Sequence, residues 1–170
     1  MFGKVKSLRE LFEIQLSYAY DCEKKLVEKG IPSMIENAGL PELRAALEQH
    51  LSETRAQIGR LERVFTSIGK APETKSNEIL DEMMSAAKDS VSNIDASPLR
   101  DAALIVNANH VEHYEIALYG SLAAFARSLG FAEAGTLLAE SLQEEKAADV
   151  TLTQIAENVL NVRAARHQTA

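Results

Sequence analysis

Cysteine is nearly absent: Cys22 is the only one among 170 residues. A lone thiol forms no internal disulfide and excludes both a four-cysteine structural zinc site and a CxxC redox pair. Tryptophan is missing, and proline (4) and glycine (8) are scarce, so long stretches run free of helix breakers. Positive charge is in deficit, with 18 Lys+Arg against 25 Asp+Glu and a net charge of −7. Nucleic acid and anionic membrane surfaces both reward a basic face, so neither is expected as the main partner. No apolar run approaches the length needed to cross a bilayer. The opening MFGKVKSLRELFE turns charged too soon for a secretory signal peptide. The cytoplasm is the expected compartment.

What is present points to a folded core. Hydrophobic residues at 46% and charged residues at 25% match soluble globular proteins. The length suits one domain, expected over residues 1–162 with a frayed polar tail at 163–170. Ala, Leu and Glu abound, apolar residues recur at three- and four-residue spacing, and no stretch alternates with period two long enough for a strand.

The first helix is expected over residues 7–29, with Leu8, Leu11, Phe12, Tyr18, Ala19, Cys22 and Leu26 along one stripe. Ser7 is its N-cap, with Glu10 at the reciprocal position of a capping box. Gly30 and Pro32 interrupt it, and a helical continuation reaches Ala38 before Gly39. The second helix spans 41–68, opened by Pro41 and striped by Leu43, Leu47, Leu51, Ile58, Leu61 and Phe65. After a turn-rich break at 69–76, a shorter helix covers 77–91. Ser97 as N-cap and Pro98 at the first helical position open a third long helix ending at Leu129. Gly130 separates it from a fourth, over 132–162.

Short links within the first and second pairs, and a long 69–97 connection between them, describe two helical hairpins joined by a crossover. The expected fold is therefore an all-α, ferritin-like four-helix bundle with an extra short helix. A weak internal repeat agrees: a shift of 91 places Gly39 on Gly130, Leu47 on Leu138, Leu51 on Leu142, Glu53 on Glu144 and Leu61 on Leu152.

Ionisable residues fall where the core should be. At roughly 100° per residue, Glu112 lies at the centre of the third stripe between Ala108 and Ile116. Glu145 is equally central on the fourth, with Asp149 one turn on. Glu23 sits at the edge of the first stripe and His50 at the edge of the second, with Glu53 three residues further. Helical phase favours Glu145 as the inward residue, whereas the repeat favours Glu144. Buried carboxylates must be protonated, paired or metal-bound, and no comparable set of inward Lys or Arg exists. Oxygen and imidazole donors suit iron or manganese. His110 and His113 flank Glu112 and are expected at the surface or outside the ligand set.

The segments YDCEKKL (20–26), EQHLSET (48–54), VEHYEIALYG (111–120) and LQEEKAADVTLTQIAE (142–157) resemble the bacterial stress-protein family typified by YciE and YciF, a ferritin-like domain of unknown function. The likeness spans about residues 8–158. It implies a five-helix fold, a dinuclear metal centre within the bundle, and a homodimer. Ferritin-like di-iron proteins usually carry a Glu on two helices and Glu-x-x-His on the other two. Here Glu23 and either Glu112 or Glu115 match the single-Glu helices. Helix two has His50 before Glu53, the reverse order, and helix four has no histidine.

The leading expectation is a ferritin-like metal-binding protein of the stress-response type. Glu23, His50, Glu53, Glu112, Glu115, Glu145 and Asp149 would surround one or two divalent ions, iron or manganese. Oxygen or peroxide chemistry is the natural class if anything is catalysed, with Tyr18, Tyr114 and Tyr119 near enough to serve it or simply to pack. The alternative is a non-catalytic dimeric scaffold whose inward acids pair with each other's protons, with His50 or with Arg55. Cage-type iron storage and nucleophilic catalysis by Ser or Cys find less support in the residues.

Overall fold

A computed structural model describes residues 4–166. Helix α1 (Leu8–Lys25) runs through a π turn at Leu26–Gly30 into α2 (Ile31–Asn37). Then come α3 (Pro41–Ser67), the short α4 (Glu78–Ser92), α5 (Pro98–Ser128) and α6 (Ala132–Ile155). A second π turn at Ala156–Leu160 leads into α7 (Asn161–Arg166), so residues 163–166 are helical; 167–170 of the expected tail lie outside the described residues.

The ends follow from local chemistry. Ser7 Oγ accepts from Glu10 N at 3.1 Å, and the Glu10 carboxylate reaches back to Lys6 N at 2.7 Å. Asn77 and Ser97 cap α4 and α5 in the same manner. Gly69 and Gly130, at φ 75° and 76°, close α3 and α5 in the left-handed region. There Lys70 N and Phe131 N donate to Phe65 O and Ala126 O, as in a Schellman ending. The interruption expected at Gly30 and Pro32 takes the form of the first π turn, where Ile31 N donates to Leu26 O. The wider turn lets the chain carry a proline, which lacks an N–H and crowds the preceding turn, without leaving the helical path.

Helices α1 and α3 pack as one hairpin and α5 and α6 as the other; α1 lies beside α5 and α3 beside α6. The crossover climbs alongside α1. Arg9 meets Ile68 O, Lys75 N donates to Ser17 O, Asn77 N to Asp21 Oδ2, and Lys25 pairs with Asp81 at 2.6 Å. Consequently α3 and α5 begin at the same end. Asp101 on α5 accepts from Gly39 N (2.7 Å) and Leu40 N (2.8 Å), supplying the cap that α3 lacks from its own residues. This is the ferritin-like bundle with a crossover and an extra helix. Among the described residues no strand occurs, and no helix is long and apolar enough to cross a membrane.

The interior is two apolar cores rather than one. Phe12, Leu16, Phe65, Leu122 and Leu138 belong to the first, and Leu26, Leu43, Leu80, Ile105 and Leu152 to the second. Between them lies a polar tier.

A buried candidate metal centre

The tier is built from all four long helices. Glu23 from α1, His50 and Gln57 from α3, Glu112 and Glu115 from α5, and Glu145 from α6 are all buried. Each sits on the inward stripe of its helix, between apolar neighbours that drive the burial. Donor atoms of His50, Glu112, Glu115 and Glu145 lie within 4.8 Å of one another. The His50 imidazole bridges toward α5 and α6, its Nε2 lying 3.2 Å from Glu112 Oε1 and 3.9 Å from Glu145 Oε2. Glu23 adjoins this group, accepting a hydrogen bond from the Tyr119 hydroxyl. Cys22 Sγ lies 3.6 Å from Glu115 Oε1.

Hydrogen bonds from the protein do not satisfy these acids. Oε2 of Glu23, Glu112, Glu115 and Glu145, and Nδ1 of His50, are buried without a hydrogen-bond partner among the described residues. Desolvation, reinforced by the charge of Glu145, pushes Glu23 and Glu112 well above the usual carboxylate range. Desolvation and the charge of Glu23 do the same to Glu115. Burial raises Glu145 too, opposed by His50 and the Gln57 amide. Two arrangements can relieve such a tier: protons shared within the Glu23–Glu115 and Glu112–Glu145 pairs, or a cation among them. The orphaned oxygens and the oxygen-rich donor set fit a hard divalent ion. Burial first, and then Glu115, pushes the Cys22 thiol well up, so it stands beside the acids as a neutral donor.

Three candidate residues stand outside the group of four: Glu23 adjoins it, and Glu53 and Asp149 lie further out. Glu53, half-buried on α3, accepts from Gln49 at 2.8 Å and lies 3.8 Å from His50 Nδ1. Asp149, also partly exposed, pairs with His113 at 3.3 Å through a buried Oδ1, and its charge adds to the rise of Glu112. Glu144 faces outward: Arg60 grips it through both terminal nitrogens and also reaches Glu140 at 3.0 Å. Arg55 is exposed. Tyr114 donates no bond to the tier. Its hydroxyl accepts from Asn77 at 2.8 Å, and burial pushes it up to about 12. Sequence reasoning overlooked Gln57, which is fully buried and donates to Glu145 and, at 3.0 Å, to Glu144. Its signal was phase, since it stands two turns beyond His50 on the same stripe.

Residues 7–165 match the family described as a domain of unknown function (DUF892). The chain is 35% identical over 161 residues to protein YciF of Escherichia coli strain K12, covering 94% of this chain and 96% of that one. The crystal structure of that stress protein superposes with a TM-score of 0.87, covering 92% of this chain and 99% of its own. YcfI from Rhodopseudomonas palustris, described as a structural protein, gives a TM-score of 0.88 at 36% identity, with coverage of 92% and 99%. A Xanthomonas campestris protein at 24% identity shares the fold, with a TM-score of 0.72 and coverage of 96% and 100%.

Proposed function

The chain belongs to the DUF892 family, and from its buried tier we propose that it is a ferritin-like protein holding one or two iron or manganese ions between its helices. The single observation carrying this reading is the convergence of His50, Glu112, Glu115 and Glu145 within 4.8 Å, inside a core with no buried Lys or Arg among the described residues. His50, Glu112, Glu115 and Glu145 would be direct ligands, with Glu23 joining them where a second ion binds. Such a centre supplies one-electron redox chemistry toward dioxygen or peroxide.

The surrounding residues have definite tasks in this reading. The Tyr119 hydroxyl orients Glu23, and the Gln57 amide fixes one oxygen of Glu145 so that the other faces the centre. Arg60 pairs with Glu144, which offsets a further negative charge beside an already acidic interior. The apolar cores above and below exclude bulk water. Homodimer formation, drawn from the family resemblance, and a cytoplasmic setting, expected from the sequence, belong to the same proposal.

The competing reading is a scaffold whose acids simply share protons, and the structural description of YcfI favours it. Untagged protein reconstituted anaerobically with Fe(II) or Mn(II) separates the two, read by mass-spectrometric metal analysis beside Glu112→Ala/Glu145→Ala. One or two ions per chain in the parent and none in the variant is the expected result. No bound ion in either protein, with the variant equally stable, would sink the metal reading.

A further inference from the structure

A narrow cleft between α3 and α6 leads toward the tier. Its volume is about 100 Å³, and its walls include Ala46, Ala147, Ala148 and Thr151. His50 and Glu53 line it together. His50 is 7% exposed, and its Nδ1 is buried without a hydrogen-bond partner among the described residues. That nitrogen faces Glu53 Oε2 at 3.8 Å, while Nε2 on the opposite edge of the ring faces Glu112 and Glu145. The imidazole therefore presents one donor to the cleft and one to the core. The larger surface cavities, beside Tyr18 and Tyr114 and beside Met34 and Met84, are lined by none of the tier's acids.

We propose that the α3–α6 cleft is the entry port for the divalent cation, with Glu53 as the capture ligand at its mouth and His50 as the relay from Glu53 to Glu112 and Glu145. The inference rests on the metal reading above. An ion entering this cleft meets a carboxylate and an imidazole on the same wall, so it exchanges waters for protein donors on the way. Glu53 is placed for the first exchange: its half-buried carboxylate lines the cleft, with Oε1 held by the Gln49 amide and Oε2 facing His50 Nδ1 at 3.8 Å. The small side chains opposite it keep the gap open. On this view Glu53 is a transit ligand, which accounts for its position outside the group of four.

Stopped-flow mixing of chelator-stripped protein with Co(II), followed by visible absorption, tests the port directly. Release into excess EDTA gives the reverse rate. Ala147 is exposed at the rim, so Ala147→Leu narrows the mouth without entering the core. Ala147→Leu and Glu53→Gln should each slow uptake and release by tenfold or more, with stoichiometry and equilibrium affinity within twofold of the parent. Glu48→Gln, an exposed acid on the same helix, controls for general surface charge and should leave both rates unchanged. Unchanged rates in both cleft variants would overturn the port while leaving the metal centre intact. A lower stoichiometry in Glu53→Gln would overturn it too, by making Glu53 a resident ligand. A parent that binds no Co(II), Fe(II) or Mn(II) at equilibrium removes the metal reading, and the port with it.

Discussion

Glu145 concentrates the chemistry of the tier in one side chain: fully buried, held by the Gln57 amide, and facing both His50 and Glu112. A Glu145→Gln change keeps the acceptor for Gln57 and removes the charge. Metal-free protein should lose little stability, since a neutral amide of the same shape relieves the crowding of acids around it. Metal content should fall to none. Thermal melts beside metal analysis read both outcomes, and a large destabilisation of the metal-free variant would contradict the account. The same residue shows where sequence reasoning has its reach. The 91-residue repeat aligns Glu53 with Glu144, and both lie half-exposed outside the tier. Helical phase selected Glu145, which is buried. The repeat tracks the equivalent places of two hairpins, whereas phase tracks which side of a helix meets the core. Gln57 escaped notice because an amide draws no attention on a stripe searched for acids and imidazoles.

At the scale of the element, caps and breaks were legible because they are written locally. Ser7, Ser97 with Pro98, Gly69 and Gly130 each decide a terminus within a few residues. The first π turn was legible only as an interruption at Gly30 and Pro32, since residue types mark a break without saying that the turn widens, and the second was not legible. Nor was the cap of α3, which comes from Asp101, distant in sequence on α5. Asp101 is buried and joins the start of one hairpin to the start of the other. Asp101→Ala removes two charge-assisted bonds to backbone N–H groups and leaves those donors short of partners. A loss of about 2–4 kcal/mol in unfolding free energy is expected, measured by urea denaturation. A change below about 0.5 kcal/mol would show that water replaces the carboxylate freely. Gly39 is part of the same joint: a Cβ there would stand 3.2 Å from Asp101 Oδ2.

For the whole molecule, the tier sets how stability answers to pH. The carboxyl groups of Glu23, Glu112, Glu115 and Glu145 are raised in the fold, the first three strongly, through burial first and then mutual charge. A folded-state value above the unfolded one, about 4.3 for Glu, means that the native chain holds protons the unfolded chain gives up. Their stabilising effect is complete below that value and fades as pH rises through the folded-state values. Metal-free protein should therefore melt at a lower temperature at pH 7.5 than at pH 5.5. A bound divalent ion reverses the slope, because it takes the place of the protons and binds more tightly as they leave. Saturation at about a hundredfold over Kd adds about 2.7 kcal/mol. For a chain of this size that is a rise of roughly 5–10 °C in melting temperature, at 2–4 °C per kcal/mol. Calorimetry across this pH range, with and without Mn(II), measures both slopes. Parallel slopes would show that the ion and the acids do not meet.

Two apolar cores separated by unpaired acids also bear on how long a chain survives. With the proposed ion bound, the protein would be closed from end to end. Without it, at neutral pH, the chain is weakest across its middle and spends more of its time open to proteases. Its cellular amount would then rise and fall with the supply of metal through turnover alone, with no sensor or repressor needed to make the adjustment.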